Sequence, residues 1–228
     1  AVILTEGIIK DITEGNPCKI VQIFVESPLI WGIHVAQDSP FKILSDLKGQ
    51  KAAISRYGSG SHLMAYVNAL KLKWNTASDL QFEVVKDLDG AVESLSSKES
   101  DYFMWEKFTT KPLVDQNIFR RLGDCPTPWP CFVIAVRDEF ILNEKETLQN
   151  ILKTINTITS SFKEIPQIDR IISERYQQKN EDVKAWMEIT EWSQKNIDTK
   201  TVEAVQTQLL KLNIISEKWT YDQLVTTL

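Results

Sequence analysis

The sequence predicts an α/β protein folded into two lobes, and three features of its pattern indicate this. Apolar runs typical of strands alternate with segments of helical spacing over most of residues 1–136. Two consecutive β-rich runs, at residues 19–25 and 29–36, indicate strands that cross between the lobes. Beyond residue 138 the composition becomes helical. Strands that alternate with helices imply a parallel sheet with right-handed crossovers.

The first lobe begins with a buried strand at residues 1–4. The next residues, 5–7, are expected to form a loop. A short amphipathic helix follows at residues 8–14, and a turn closes it at Gly15-Asn16-Pro17. Pro28 then separates the two crossing runs, because proline disfavours continuous strand pairing.

The second lobe has a more regular pattern. A short helix at residues 45–48 precedes a strand at 51–55, and a helix at 62–72 follows. The spacing predicts that this helix buries Leu63, Tyr66, Val67 and Leu70. Further along lie two more strands and the helix between them, expected at residues 81–85, 89–97 and 101–105.

The return to the first lobe is expected near residue 128. A short strand at residues 118–122 precedes three prolines and then a strongly β-like run at 131–136. This gives three parts: residues 1–35 for the rest of lobe 1 and the first crossing, 36–128 for lobe 2, and 129–228 for the return crossing and helices packed on lobe 1. The tail helices are expected at 144–163, 165–178, 181–190, 198–211 and 221–227.

Composition restricts the classes of function. With 43% hydrophobic residues, a 228-residue chain can build ordinary cores, which argues against a disordered protein. A net charge of -5 gives no general attraction to nucleic acid or to an anionic membrane. Three cysteines and two histidines show no metal-ligand spacing. We therefore expect no metal, no cofactor, no nucleic-acid partner and no catalytic residues.

No apolar run is long enough to cross a bilayer, so the chain is expected not to span a membrane. The first residues lack the basic start and apolar core of a secretion signal. The sequence leaves the location open between periplasmic, lipid-anchored and cytoplasmic.

A Gly-Ser loop, defined as residues 55–61, carries the clearest site pattern. It joins a predicted strand to a predicted helix, and ligands of open α/β sheets bind at such strand ends. Glycines allow close approach of the backbone, and serines, helix-terminal amides and an arginine fork suit an anion. The predicted ligand residues here are Arg56, Gly58, Ser59, Gly60 and Ser61. The alternative is a plain turn in which Ser61 caps the helix.

Aromatic and acidic residues at other strand ends are weaker candidates. Trp105 could stack on a ligand and Glu106 could accept a hydrogen bond, or the pair could be core and helix cap. Trp129, held between prolines, could line the site or pack the crossing. From the other lobe, Thr5 and Glu6 could add a hydroxyl and a carboxylate.

The run Ser-Asp-Leu-Lys-Gly-Gln-Lys-Ala-Ala-Ile-Ser at 45–55, the Gly-Ser loop and residues 101–106 resemble one protein group. These are the nitrate, sulfonate and thiamine-precursor binding proteins of ABC importers, which have the type 2 periplasmic-binding-protein fold. The strings Ser-Arg-Tyr-Gly-Ser-Gly-Ser, Phe-Met-Trp-Glu-Lys-Phe-Thr and Thr-Pro-Trp look closest to a poorly characterised branch shared by bacteria and fungi. The family normally has two strand-helix units before the strand that residues 1–4 resemble, so lobe 1 is expected to be truncated.

The resemblance implies a non-enzymatic solute-binding protein that captures a small anionic or heterocyclic molecule in a cleft between two lobes. An ABC transporter permease is the partner that it implies. One alternative is the ligand-sensing effector domain of a LysR-like regulator. Another is an enzyme similar to thiamine-pyrimidine synthases, although the cysteine-rich motif of that group is missing.

Overall fold

The computed structural model describes all residues from Ala1 to Leu228 and divides into two compact units. Unit 1 comprises Ala1–Pro28 and Pro128–Leu228, and unit 2 comprises Leu29–Thr127. The first change of unit therefore comes after Pro28 instead of after residue 35. The second crossing run is a strand of the unit 2 sheet, which moves the boundary.

The chain forms eight strands and ten α-helices. The strands are β1 (Val2–Leu4), β2 (Cys18–Val25), β3 (Ile30–Ala36), β4 (Lys51–Ile54), β5 (Gln81–Val84), β6 (Tyr102–Glu106), β7 (Phe119–Pro126) and β8 (Phe132–Arg137). The helices are α1 (Thr5–Thr13), α2 (Gly60–Lys71), α3 (Leu88–Ser96), α4 (Lys111–Asp115), α5 (Asp138–Asn143), α6 (Lys145–Ser161), α7 (Ile168–Tyr176), α8 (Asn180–Ile189), α9 (Thr199–Lys211) and α10 (Tyr221–Leu224). Short 3-10 helices lie at Leu44–Leu47 and Phe162–Glu164.

Unit 1 contains a three-stranded sheet of order β1-β8-β2. The expected parallel arrangement is wrong here, because β8 runs antiparallel to both neighbours. The chain enters β8 on its return from unit 2. No single helix connects β1 or β2 to β8, so the connection that would make the strands parallel is missing. Ile3 pairs with Val133, and Ile20 pairs with Ala135 across the other edge of the same strand.

Helix α1 begins directly where β1 ends, so the loop expected at residues 5–7 is instead its first turn. Ile8, Ile9 and Ile12 are buried on one face of this helix. Val205 and Leu209 are buried on α9, which packs against α1. The tail helices therefore contribute to the core of unit 1, and α5 is an additional helix that the sequence did not indicate. None of the helices has both the length and the apolar character needed to span a bilayer.

Unit 2 contains a five-stranded sheet of order β5-β4-β6-β3-β7. Strand β4 runs parallel to β5 and β6, whereas β3 runs antiparallel to β6 and β7. The sheet is thus mixed, which corrects the prediction of a parallel sheet. The strands that α2, α3 and α4 connect all point one way, because a helical crossover returns the chain to the same edge. Only β3, which no helix precedes in this unit, points the other way.

Alternate residues of these strands enter two cores, one on each face of the unit 2 sheet. One core packs α2 against the sheet and includes Ile33, Ala52, Met64, Ala65 and Met104. The other packs α3 and includes Ala53, Ala91, Leu95, Phe103 and Phe119. With both faces covered, the ends of the strands are where polar side chains can collect.

Candidate functional site

The carboxyl ends of β4 and β6 lie side by side in unit 2. Ala53 pairs with Phe103 in parallel register. Two residues beyond that pair, the chain reaches Ser55 on one strand and Trp105 on the other. The Gly-Ser loop and the Trp105-Glu106 pair, which were predicted separately, therefore leave the sheet at the same edge.

The Gly-Ser loop turns through Gly58 and ends in a helix cap. Gly58 has a φ of +75°, the left-handed region in which a side chain is disfavoured. Ser59 follows in extended conformation and is the N-cap of α2, with its hydroxyl accepting from the amide of His62. Gly60 is already the first residue of the helix. Of the two glycines of the loop, only Gly58 has a positive φ, and Ser59 instead of Ser61 is the cap.

The serine hydroxyls of the loop bond to one another inside the protein. Ser61 Oγ accepts from the amide of Ser55 at 3.0 Å and lies 3.1 Å from Ser59 Oγ and 3.4 Å from Ser55 Oγ. All three serines are buried. Their hydroxyls therefore stabilise the loop, and a ligand would have to bind to other groups of the loop.

Two kinds of donor in the loop remain without a partner. The amides of Gly60 and Ser61 are the first two of α2, where no carbonyl lies within helical reach, and neither donates to another residue. Arg56 is exposed and forms no salt bridge. Free amides at a helix N-terminus attract an anion, and a guanidinium group adds a planar, permanently charged donor. This part of the loop has the chemistry of an anion site.

His62 is a residue of this loop region that the sequence did not single out. Its Nδ1 accepts a hydrogen bond of 3.1 Å from the amide of Gly58, so the loop closes back on the first turn of α2. Burial lowers the pKa of its imidazole, which favours the neutral form. Only the four-residue spacing between Gly58 and His62 could have indicated this contact from sequence.

Trp105 and Glu106 make contacts that fit both of their predicted alternatives. The half-buried indole of Trp105 stacks on Phe103, with 5.2 Å between ring centroids, and meets Trp31 edge-on. The carboxylate of Glu106 accepts from the amides of Phe108 and Thr109 and from the Thr109 hydroxyl. Glu106 therefore orders the turn that follows β6.

Trp31 contributes a polar atom that the sequence did not indicate. Its indole Nε1 is buried and has no hydrogen-bond partner, although the ring is part of the core of unit 2. The register places Trp31 opposite Glu106, at the end of β6 that also carries Trp105. No sequence pattern separates such an indole from an ordinary core tryptophan.

The candidates in unit 1 form one cluster. Trp129 Nε1 donates to Glu6 Oε2 at 2.8 Å, and Thr5 Oγ1 donates to the carbonyl of Pro130 at 2.5 Å. Thr5, Glu6 and Trp129 are all buried. Burial raises the pKa of the Glu6 carboxyl, while its own amide and the indole act in the opposite direction. The second oxygen, Oε1, is buried without a partner.

Comparison with known proteins assigns the fold. Residues 31–125, which make up most of unit 2, match a family model described as Ca3427-like PBP. A structure of the Candida albicans CA3427 gene product, described as having the generic periplasmic binding protein fold, is 27% identical with a TM-score of 0.85. The match covers 96% of this chain and 74% of that one. This chain has the type 2 periplasmic-binding-protein fold.

Two further structures of periplasmic binding proteins share the fold at lower identity. One is the alkanesulfonate-binding protein SsuA from Xanthomonas axonopodis pv. citri bound to MOPS, at 13% identity and a TM-score of 0.79, covering 96% of this chain and 77% of that one. The other is the aliphatic sulphonate binding protein SsuA from Escherichia coli, at 19% identity and a TM-score of 0.69. That match covers 97% of this chain and 73% of that one. No curated protein matches the chain. The two SsuA relatives are solute-binding proteins, which are not enzymes.

Proposed function

We propose that this chain is a non-enzymatic solute-binding protein for a small anionic molecule, and that the Gly-Ser loop of unit 2 binds the anionic group. One observation carries the proposal: the unpartnered amides of Gly60 and Ser61 and the unpaired guanidinium of Arg56 occur in the same loop. Charge-assisted hydrogen bonds from such donors are roughly twice as strong as neutral ones.

The loop is suited to binding because its serine hydroxyls and the Gly58 amide already have partners within the protein. Ser55, Ser59 and Ser61 bond to one another, and Gly58 is fixed by His62. The donors are therefore held in place before a ligand arrives, which reduces the entropy lost on binding. The sulfonate ligands named for the two SsuA relatives favour a sulfonate as the anionic group.

The proposal assigns a further ligand contact in unit 2 to Trp105. The half-buried Trp105 offers a flat apolar surface on β6, beside the strand β4 that leads into the loop. Within unit 1, Glu6 Oε1 is a separate candidate acceptor, near which Thr5 and Trp129 make their hydrogen bonds. Glu106 is proposed to act on the ligand through the turn that it orders.

The transport role belongs to the same proposal. Relatives of this fold include the ligand-binding component of an ABC-type import system from Staphylococcus aureus. We propose that the chain delivers its ligand to an importer permease. Retention of the ligand-loaded protein by the membrane fraction of cells that express the cognate permease would support this, and equal retention by fractions without that permease would contradict it.

A thermal-shift screen tests the binding function. A ligand that binds only the native state raises the melting temperature by an amount that grows with the ratio of its concentration to its Kd. Alkanesulfonates, phosphate and short carboxylates are expected to give concentration-dependent increases, whereas an alcohol of equal size gives none. Equal shifts with the neutral and anionic compounds would contradict an anion site.

A further inference from the structure

His62 occupies a defined place beneath the Gly-Ser loop. Its ring meets three aromatic rings edge-on, those of Tyr57, Tyr66 and Phe82, with centroid distances of 5.3, 5.2 and 4.7 Å. Only 7% of the residue is exposed. Nδ1 faces the amide of Gly58 at 3.1 Å. The ring is thus held by packing on several sides while one nitrogen makes a directional bond to the loop.

The bond to Gly58 requires the neutral imidazole. A nitrogen that accepts from an amide N–H carries no proton, so the ring proton lies on Nε2. The packed neighbours come from the loop, from α2 and from β5, and the two titratable ones among them, Tyr57 and Tyr66, are phenols. No carboxylate or cation contributes to the lowered pKa of His62, which comes from burial.

The hydrogen bond from Gly58 to His62 also affects the backbone amides that are proposed to bind the anion. Gly58, in its left-handed conformation, turns the chain so that Ser59 reaches the cap position of α2. The unpartnered amides of Gly60 and Ser61 follow directly. A proton on Nδ1 would place two N–H groups against each other at 3.1 Å, and the turn would have to change.

We propose that His62 is a positioning residue of the anion site, whose neutral imidazole fixes Gly58 and thereby aims the helix amides at the ligand. This inference rests on the proposed function, because it assumes that the loop binds the anion. It distinguishes His62 from a residue that merely fills space among aromatic rings. It also predicts that protonation of His62 weakens binding, although an added positive charge near an anion would by itself strengthen it.

Two substitutions of His62 test its hydrogen-bond acceptor and its aromatic ring separately. His62→Asn places an amide oxygen near the position of Nδ1 and cannot titrate, whereas His62→Phe keeps an aromatic ring and has no acceptor. The probe is butanesulfonate, which stays ionised across the pH range used. We expect His62→Asn to bind it within about threefold of wild type and His62→Phe to bind about tenfold more weakly, the loss expected from one hydrogen bond.

The pH profile is the readout that a structural role would not change. The wild-type affinity for butanesulfonate should fall as the pH is lowered from about 8 to about 4, because the lowered pKa of His62 moves its protonation below the usual range of a histidine, and the affinity of His62→Asn should stay constant. A wild-type affinity that is constant or that rises at low pH would overturn the proposal. Equal affinities for His62→Phe and wild type would overturn it as well.

Hydrogen exchange of the ligand-free protein separates this inference from the proposed function. The Gly58 amide should be protected in wild type and His62→Asn and should exchange faster in His62→Phe. If wild type binds no anion but this pattern holds, the proposed function fails while the loop contact stands. If Gly58 exchanges equally in all three proteins, His62 does not hold the loop, and the inference fails whatever the binding result.

Discussion

The indole of Trp129 donates a hydrogen bond of 2.8 Å to one carboxylate oxygen of Glu6, a residue 123 positions earlier in the chain. The contact fixes the start of α1 against the segment that returns to unit 1. It also leaves the other oxygen of Glu6 buried and unpartnered. A carboxyl in such a place is costly to ionise, which gives the protein a specific dependence on pH.

Glu6 should destabilise the fold as the pH rises. Burial raises the pKa of the Glu6 carboxyl in the folded state. Its contribution to stability is therefore fully present only below the pKa that Glu6 has in the unfolded chain. Stability is then lost as the pH rises through the folded-state pKa. The free energy of unfolding of Glu6→Gln relative to wild type should increase over that range, as measured by urea denaturation at several pH values. Glu203→Gln, on the exposed face of α9, is the control and should show no such trend.

Removing the indole donor should cost stability. Trp129→Phe keeps a ring among the buried neighbours but leaves Glu6 Oε2 without its donor. The expected loss in the free energy of unfolding near neutral pH is about 1–3 kcal/mol, the cost of an unsatisfied buried group. Denaturant unfolding measures it. A loss below about 0.5 kcal/mol, the range of neutral surface changes, would show that the bond is not a stabilising one.

Gly58 should not tolerate a side chain. Gly58→Ala forces alanine into a left-handed conformation, which costs roughly 1–2 kcal/mol, and should also weaken anion binding. Gly7→Ala is the matched control, because Gly7 is helical and an added Cβ would find Leu4 Cβ at an ordinary 3.7 Å. Melting temperature and butanesulfonate titration check both variants. Equal behaviour of the two alanine variants would contradict the strained turn.

Trp105 should report ligand binding by fluorescence. It is half-buried at the strand end beside the Gly-Ser loop. Binding should change the intrinsic emission, and Trp105→Phe should remove most of that change while it retains the packing on Phe103. Trp186→Phe, on α8 of unit 1, serves as the control and should leave the change intact. If the Trp105 variant keeps the full signal, this indole does not sense the ligand.

The sequence predicts local features well and long-range ones poorly. The Gly-Ser loop was predicted because strand, glycines, cap and helix follow one another within a few residues. The buried face of α2 was predicted only in part: Leu63 is buried as expected, but Leu70 is 45% exposed, and Met64, Ala65 and Ala69 are buried instead. Small residues fit close to the sheet, and hydrophobic spacing alone could not distinguish the two faces.

The direction of the strands and the contact between Glu6 and Trp129 could not be predicted from the sequence, for a different reason. Nothing in the residues of β3 or β8 indicates that they run against their neighbours, because direction depends on the connections of the whole unit. Glu6 and Trp129 were both selected as candidates, but only the folded chain shows that they touch.

Calorimetric titration with butanesulfonate measures whether the Gly-Ser loop binds an anion. Wild type should bind with saturable, one-to-one stoichiometry, and Arg56→Ala should bind about 10- to 150-fold more weakly, since a charge-assisted contact contributes about 1.5–3 kcal/mol. Lys42→Ala removes an exposed positive charge elsewhere in unit 2 and should leave the affinity unchanged. Absence of saturable binding to wild type, or equal affinities for wild type and Arg56→Ala, would contradict an anion site in the Gly-Ser loop.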